Sequence, residues 1–148
     1  MIILVLNCGS SSIKYQLFNM GNGCEMMAKG LLERIGLNDS ILTHKPTGNE
    51  PYKVINDIPD HTTGINLVMA ALTDSRHGVI KDVSEIKAVG HRVVNGGESY
   101  KESVLIDNEV KQQIEICSEL APLHNPANLK GILSVEKLIP GGPQVAVF

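Results

Sequence analysis

Apolar positions recur in two rhythms along the chain. Ile2-Ile3-Leu4-Val5-Leu6 is a continuous apolar run closed by Gly and Ser, the pattern of a short strand buried on both faces. Over 12–18 the rhythm becomes alternation, with Ser12, Lys14 and Gln16 on one face and Ile13, Tyr15 and Leu17 on the other. Gly21-Asn22-Gly23 is a turn signal, and 24–35 reads as a third strand returning antiparallel, with Met26, Met27, Leu31, Leu32 and Ile35 apolar. In the polar stretch that follows, 41–44 and 52–55 flank Pro46-Thr47-Gly48-Asn49 and predict a small exposed hairpin.

The helical period takes over at 62–75, where Ile65, Val68, Met69 and Leu72 recur after the capping-type residues Asp60, Thr62 and Thr63. Residues 86–94 read as a strand ended by Asn95-Gly96-Gly97-Glu98. Asp107 can cap a second helix whose apolar stripe is Val110, Ile114, Cys117 and Leu120. A third helix begins after His124, with Asn125 as N-cap, Pro126 at the first helical position, and Leu129, Ile132, Leu133, Val135, Leu138 and Ile139 facing inward. It ends at Pro140-Gly141-Gly142-Pro143, and 145–148 begins a further buried strand. A strand running to Phe148 with no turn after it predicts a partner domain beyond this one. Three antiparallel strands followed by helix, strand, helix, helix and strand predict an α/β fold with a mixed sheet.

Composition narrows the class without naming a chemistry. At 148 residues the chain is long enough for one domain with a real core, and 43% hydrophobic against 20% charged residues is ordinary for a soluble globular protein. Aromatics are 3%, so the core is aliphatic. A net charge of -3 with scattered Lys and Arg argues against a nucleic-acid or anionic-membrane partner. The three cysteines, Cys8, Cys24 and Cys117, have neither disulfide-framework nor zinc-site spacing, which fits a reducing cytoplasm. The apolar start is too short and lacks the basic flank of a signal segment.

Candidate chemistry concentrates in Asn7-Cys8-Gly9-Ser10-Ser11-Ser12-Ile13-Lys14, between the first two strands. Gly9 lets the backbone bend toward a ligand, the hydroxyls and loop N–H groups are donors for a polyphosphate, and Ser12 and Lys14 share a face. The Asn7 carbonyl is a hard oxygen suited to Mg²⁺, directly or through water. The spacing is neither G-x-x-x-x-G-K-[ST] nor G-x-G-x-x-G, and the loop leads into a strand instead of a helix. Taken alone it also reads as a hairpin turn that only turns, which is the commoner case for Ser/Gly-rich turns. Arg92 at its strand end reads as an anion-binding fork or as a surface ion pair, and His124 as a site residue or as an imidazole satisfied by the adjacent helix start.

Three segments together decide between these readings. Asn7 to Lys14, Gly90-His91-Arg92-Val93-Val94-x-Gly96-Gly97-Glu98, and Ala121-Pro122-Leu123-His124-Asn125-Pro126-Ala127-Asn128-Leu129 resemble the signatures of the acetate kinase family, within the actin-like superfamily of acetate and sugar kinases. The resemblance runs end to end. It implies that 1–148 is an N-terminal domain of ribonuclease-H-like (actin-like ATPase) fold, with helices on the faces of a mixed sheet, and that a second domain carries most of the nucleotide pocket. It implies reversible, Mg²⁺-dependent transfer of the ATP γ-phosphoryl to acetate, giving acetyl phosphate and ADP, in a cytoplasmic enzyme that dimerises mainly through the other domain. Propionate or butyrate kinase, and a non-catalytic phosphate-binding module of the same superfamily, are the alternatives.

By the same resemblance Asn7 is the Mg²⁺-associated residue, Lys14 a phosphate contact, and Ser10 and Ser12 supporting hydroxyls. Arg92 holds the carboxylate, His124 touches the phosphoryl group, and Val94 and Leu123 form the apolar wall for the methyl. As isolated aliphatics Val94 and Leu123 read as core. Asn95 stands where the family usually has a second His, so no proton can be carried there. His91 falls on the strand face opposite Arg92 and reads as structural.

Overall fold

In the computed structural model, which describes residues 1–21 and 23–148, the early hairpins extend into one large sheet. Asn22, in the predicted turn, lies outside the described residues. The strands are β1 (Ile2–Cys8), β2 (Ile13–Asn19), β3 (Glu25–Glu33), β4 (Ser40–Pro46), β5 (Tyr52–Asn56), β6 (Ile86–Arg92), β7 (Val104–Leu105) and β8 (Gln144–Val147), arranged β5-β4-β3-β2-β1-β6-β8-β7. β1, β6 and β8 run parallel, and the remaining pairs are antiparallel. The helices are α1 (His61–Leu72), α2 (Asn108–Ile116) and α3 (Asn125–Leu138). Expected on the faces of the sheet, all three pack on one of them.

Alternation explains this layering. Leu4, Leu6 and Cys8 of β1, Ile13, Tyr15 and Leu17 of β2, and Val89 of β6 are buried in the cluster that takes up Ile65, Val68, Met69 and Leu72 of α1 and Val135 of α3. Each such aliphatic stabilises the fold by about 1.5–3 kcal/mol when fully buried. A second cluster joins Val93, Val110, Ile114, Ile132 and Ala146, seating α2 and α3 over β6 and β8. Lys111 of α2 adds an ion pair with Glu136 of α3 at 2.7 Å. None of the described helices is long and apolar enough to cross a membrane.

Several sequence expectations are revised by this packing. The 41–44 and 52–55 strands do pair, but they are not a small exposed hairpin, because β4 is bonded to β3 and buries Leu42 and His44 completely. The Tyr15 hydroxyl donates to His44 Nδ1 (2.6 Å), and His44 Nε2–H donates to the His77 carbonyl (2.9 Å), so this polar group is satisfied inside the core. Leu120 leaves the predicted stripe, since α2 gives way to a 3-10 turn at Cys117–Glu119, and it is 71% exposed. Leu133 also faces outward; the buried line of α3 runs through Gly131, Ile132, Ser134 and Val135. β7, two residues long, has no pattern from which to predict it.

Gly30 of β3 lies under the Tyr15 ring, where an added Cβ would come within 2.2 Å of Tyr15 Cζ. The Tyr15–His44 hydrogen bond prevents the ring from moving aside. Gly30→Ala is therefore expected to destabilise the chain by about 1–3 kcal/mol. A urea midpoint unchanged from wild type would contradict this packing.

Candidate functional site

The site starts from strand register. Asn7 of β1 is directly opposite Lys14 of β2, so their side chains are neighbours on one face. The parallel β1–β6 ladder ends at Leu6 opposite His91, which places Asn7 and Arg92 next in line on two adjacent strands. Leu6 and His91 are buried toward the helices, so by alternation Asn7 and Arg92 face the open side of the sheet.

There they line one pocket of about 550 Å³ together with Lys14, Val5, Lys29, Leu31 and Lys45. Lys29 and Lys45 are direct cross-strand partners, an arrangement that repels in the absence of an anion. Among the described residues the ion pair is Lys111 with Glu136, so Lys14, Lys29, Lys45 and Arg92 face the pocket without a carboxylate partner. The pocket has the electrostatics of an anion site, with apolar walls that lower the local dielectric.

Beyond β1 the loop turns tightly. Gly9 N–H donates to the Ser12 carbonyl at 2.9 Å, and a Cβ on Gly9 would meet Ser12 Oγ at 2.9 Å, so a larger residue here would displace the Ser12 hydroxyl. His61, at the start of α1, fastens the loop from below through Nε2–H to the Gly9 carbonyl (2.6 Å). Ser10 and Ser12 sit in this loop beside the pocket and are not among its lining residues.

The structure brings Asn7, Lys14 and Arg92 to one pocket, and Val94, Leu123 and His124, like the two serines, are not among its lining residues. Val94 and Leu123 are 48% and 69% exposed, so the reading of either as a core aliphatic is excluded. His124, also exposed, is the N-cap of α3 and makes no side-chain capping bond, so its imidazole is not consumed by the helix start. Asn125, predicted as the cap, lies one position further on and is fully buried. Its side chain is spent elsewhere: Oδ1 accepts from Asn95 N–H (3.1 Å), while Nδ2 donates to the Asn95 carbonyl (2.7 Å) and to the Ile114 carbonyl (3.1 Å). Asn95 in turn accepts from Gly97 N–H (2.7 Å), so this polar residue closes a loop.

Two other buried groups are structural. His91 donates through Nε2–H to Gln144 Oε1 (2.5 Å), and burial pulls its pKa down to about 4, keeping the imidazole neutral. Burial pushes the Cys8 thiol up to about 12, so it is neither a thiolate nor a nucleophile at neutral pH. Sequence reasoning missed His61, Asn125 and Asn128 as fasteners of the site. The available signal was a pair of amides three residues apart in the first turn of α3, which reads as ordinary capping chemistry.

With this geometry in hand, comparison with known proteins is decisive. A sequence profile described as the acetokinase family matches residues 2–148. The chain belongs to the acetokinase family. Among its curated relatives, an acetate kinase of Thermoanaerobacter pseudethanolicus is 55% identical and one of Caldanaerobacter subterraneus subsp. tengcongensis 57% identical, each over the whole chain and 37% of the relative. The chain thus spans a little over a third of the length of these acetokinases. The crystal structure of Porphyromonas gingivalis acetate kinase superposes with a TM-score of 0.94 at 48% identity, covering 99% of this chain and 37% of that one. A propionate kinase from Francisella tularensis superposes with a TM-score of 0.86 at 35% identity, covering 99% and 36%. These neighbours fit the actin-like ATPase fold.

The buried His91 is expected to make the fold acid-sensitive. Unfolded, it titrates near the ordinary value of about 6.5; folded, near 4. Between those values the unfolded chain binds a proton that the fold excludes, so stability is full above about pH 6.5 and is lost as pH falls toward 4. His44, also lowered mainly by burial, adds in the same sense. His91→Gln is expected to reduce the pH slope of stability in this window by about one proton. Urea unfolding at stepped pH checks it, and an unchanged slope would remove His91 from the account.

Proposed function

We propose that these 148 residues are the first domain of a longer acetate kinase, which transfers the ATP γ-phosphoryl reversibly to acetate. The observation that carries the reading is the convergence of Asn7, Lys14 and Arg92 from three adjacent strands on one cationic pocket. In the transfer a carboxylate oxygen forms a bond to the γ-phosphorus, the bond from phosphorus to the bridging oxygen breaks, and ADP leaves with that electron pair. Both reactants are anions, so positioning and positive charge are the protein's contribution.

In this reading Arg92 holds the carboxylate, its planar fork matching two oxygens in a way that a lysine cannot. Lys14 and the hydroxyls of Ser10 and Ser12 hold the phosphates. His124, free of capping duty, contacts the transferring phosphoryl group. Val94 and Leu123, both exposed, remain available to receive the methyl group. Among the described residues no three His, Cys, Asp or Glu side chains cluster as a resident metal site. The hard oxygen of the Asn7 side-chain carbonyl would suit a Mg²⁺ brought in by the nucleotide. Bound there, the ion would neutralise phosphate charge.

A propionate kinase is the second reading, favoured by the similarity to the Francisella protein, because one methylene in an apolar wall is worth only about 1–3 kcal/mol. Cytoplasmic location is in keeping with three free cysteines, and the remainder of the longer protein would supply the dimer contact.

In the full-length protein, Arg92→Ala is expected to raise the KM for acetate and lower kcat, with kcat/KM falling about ten- to a hundredfold for a lost charged hydrogen-bond pair of about 1.5–3 kcal/mol. Unchanged steady-state kinetics would take Arg92 out of the site. The 148 residues alone are expected to form no acetyl phosphate from acetate and Mg-ATP, and sustained turnover by them would overturn the two-domain reading.

A further inference from the structure

Beyond Leu6 and His91 the β1–β6 ladder stops, yet the chemistry proposed above needs the two strand ends at a fixed separation, since one leads into the phosphate loop and the other carries Arg92. A single side chain spans them. Asn128 of α3 is 2% exposed; its Nδ2 donates to the Cys8 carbonyl at 2.7 Å and its Oδ1 accepts from Val94 N–H at 3.1 Å. A carbonyl on one side and an N–H on the other fix the orientation of the amide. Cys8 immediately precedes Gly9 of the loop, and Val94 lies two residues past Arg92.

From this geometry we propose that Asn128 is a positioning residue that sets the distance between the phosphate-binding loop and the Arg92 strand end. The proposal rests on the kinase reading. Its side chain takes over the bridging role where the backbone ladder ends. α3 is held close enough for this because Gly131, one turn further on, lies against Cys8, where a Cβ would meet Sγ at 2.7 Å. Asn125, three residues earlier, anchors the segment after β6 at Asn95, so the first turn of α3 reads both strand ends. The chemistry demands an amide. Asp cannot donate to the Cys8 carbonyl, Leu can do neither, and Gln is too long for the gap.

A residue that binds one substrate alters that substrate's KM; one that sets the spacing between two sites alters the step in which they meet. In the full-length enzyme, Asn128→Asp and Asn128→Ala are expected to lower kcat per folded molecule at least about tenfold, while the KM values for acetate and Mg-ATP stay within about threefold, because misplacement by about 1 Å costs up to a hundredfold. A kcat within twofold of wild type, or a loss confined to one KM, overturns the proposal. Amide hydrogen exchange decides the case separately from activity. Wild-type Val94 N–H should be protected like Val89 and His91 in β6, and Asn128→Ala, which removes the acceptor, should release Val94 alone. Rapid exchange at Val94 in the wild-type protein overturns the proposal even if neither variant folds. Absence of acetyl phosphate formation by the wild type would instead sink the kinase reading, leaving the spacing to be judged by Val94 exchange.

Discussion

The adjacency of β2, β1 and β6 is the constraint on which the rest of the site depends, because it converts three distant stretches of sequence into three neighbouring side chains. Asn7 faces Lys14 through an antiparallel register, and Asn7 and Arg92 follow the last parallel pair, Leu6 and His91. A slip of one residue in either ladder would turn the corresponding side chain into the helical layer. The alternation that buries Leu6, Ile13 and His91 therefore also aims the candidate chemistry.

Polar groups divide cleanly between holding the fold and facing the pocket. His91, His44, Asn125, Asn128 and His61 are buried and bonded, and together they fasten the sheet ends, the Gly9 turn and the Asn95 loop. Lys14, Arg92 and His124 are exposed. Neighbours on one strand, His91 and Arg92, take opposite parts because alternation gives them opposite faces. The fixed layer absorbs its own hydrogen bonds, so the exposed side chains of Lys14, Arg92 and His124 remain available to a ligand.

Much of this was legible in the sequence, for identifiable reasons. The strands at 2–6 and 12–18 and the helix at 62–75 announce themselves by period, and the shared face of Ser12, Lys14 and Gln16 follows from alternation alone. The structural part of His91 was readable in the same way. Long-range register was not, since nothing local says that β6 will lie beside β1. For the same reason the 41–44 segment looked like a surface hairpin, although His44 pairs across the sheet with Tyr15. Asn125 was misread as a cap because capping and loop fastening use the same amide at nearly the same position. Leu120 and Leu133 followed an ideal helical stripe that the 3-10 turn after α2 and the buried line of α3 did not keep.

The proposal that the pocket joins a phosphate site to a carboxylate site is the core of the account. It is tested most directly by giving the full-length protein Mg-ATP with acetate, propionate or butyrate, trapping acyl phosphate as hydroxamate and counting ADP. The account predicts one hydroxamate per ADP, loss of both on removing Mg²⁺, and the highest kcat/KM for acetate. ADP released without hydroxamate, or nucleotide bound with no turnover for any of the three acids, would contradict it.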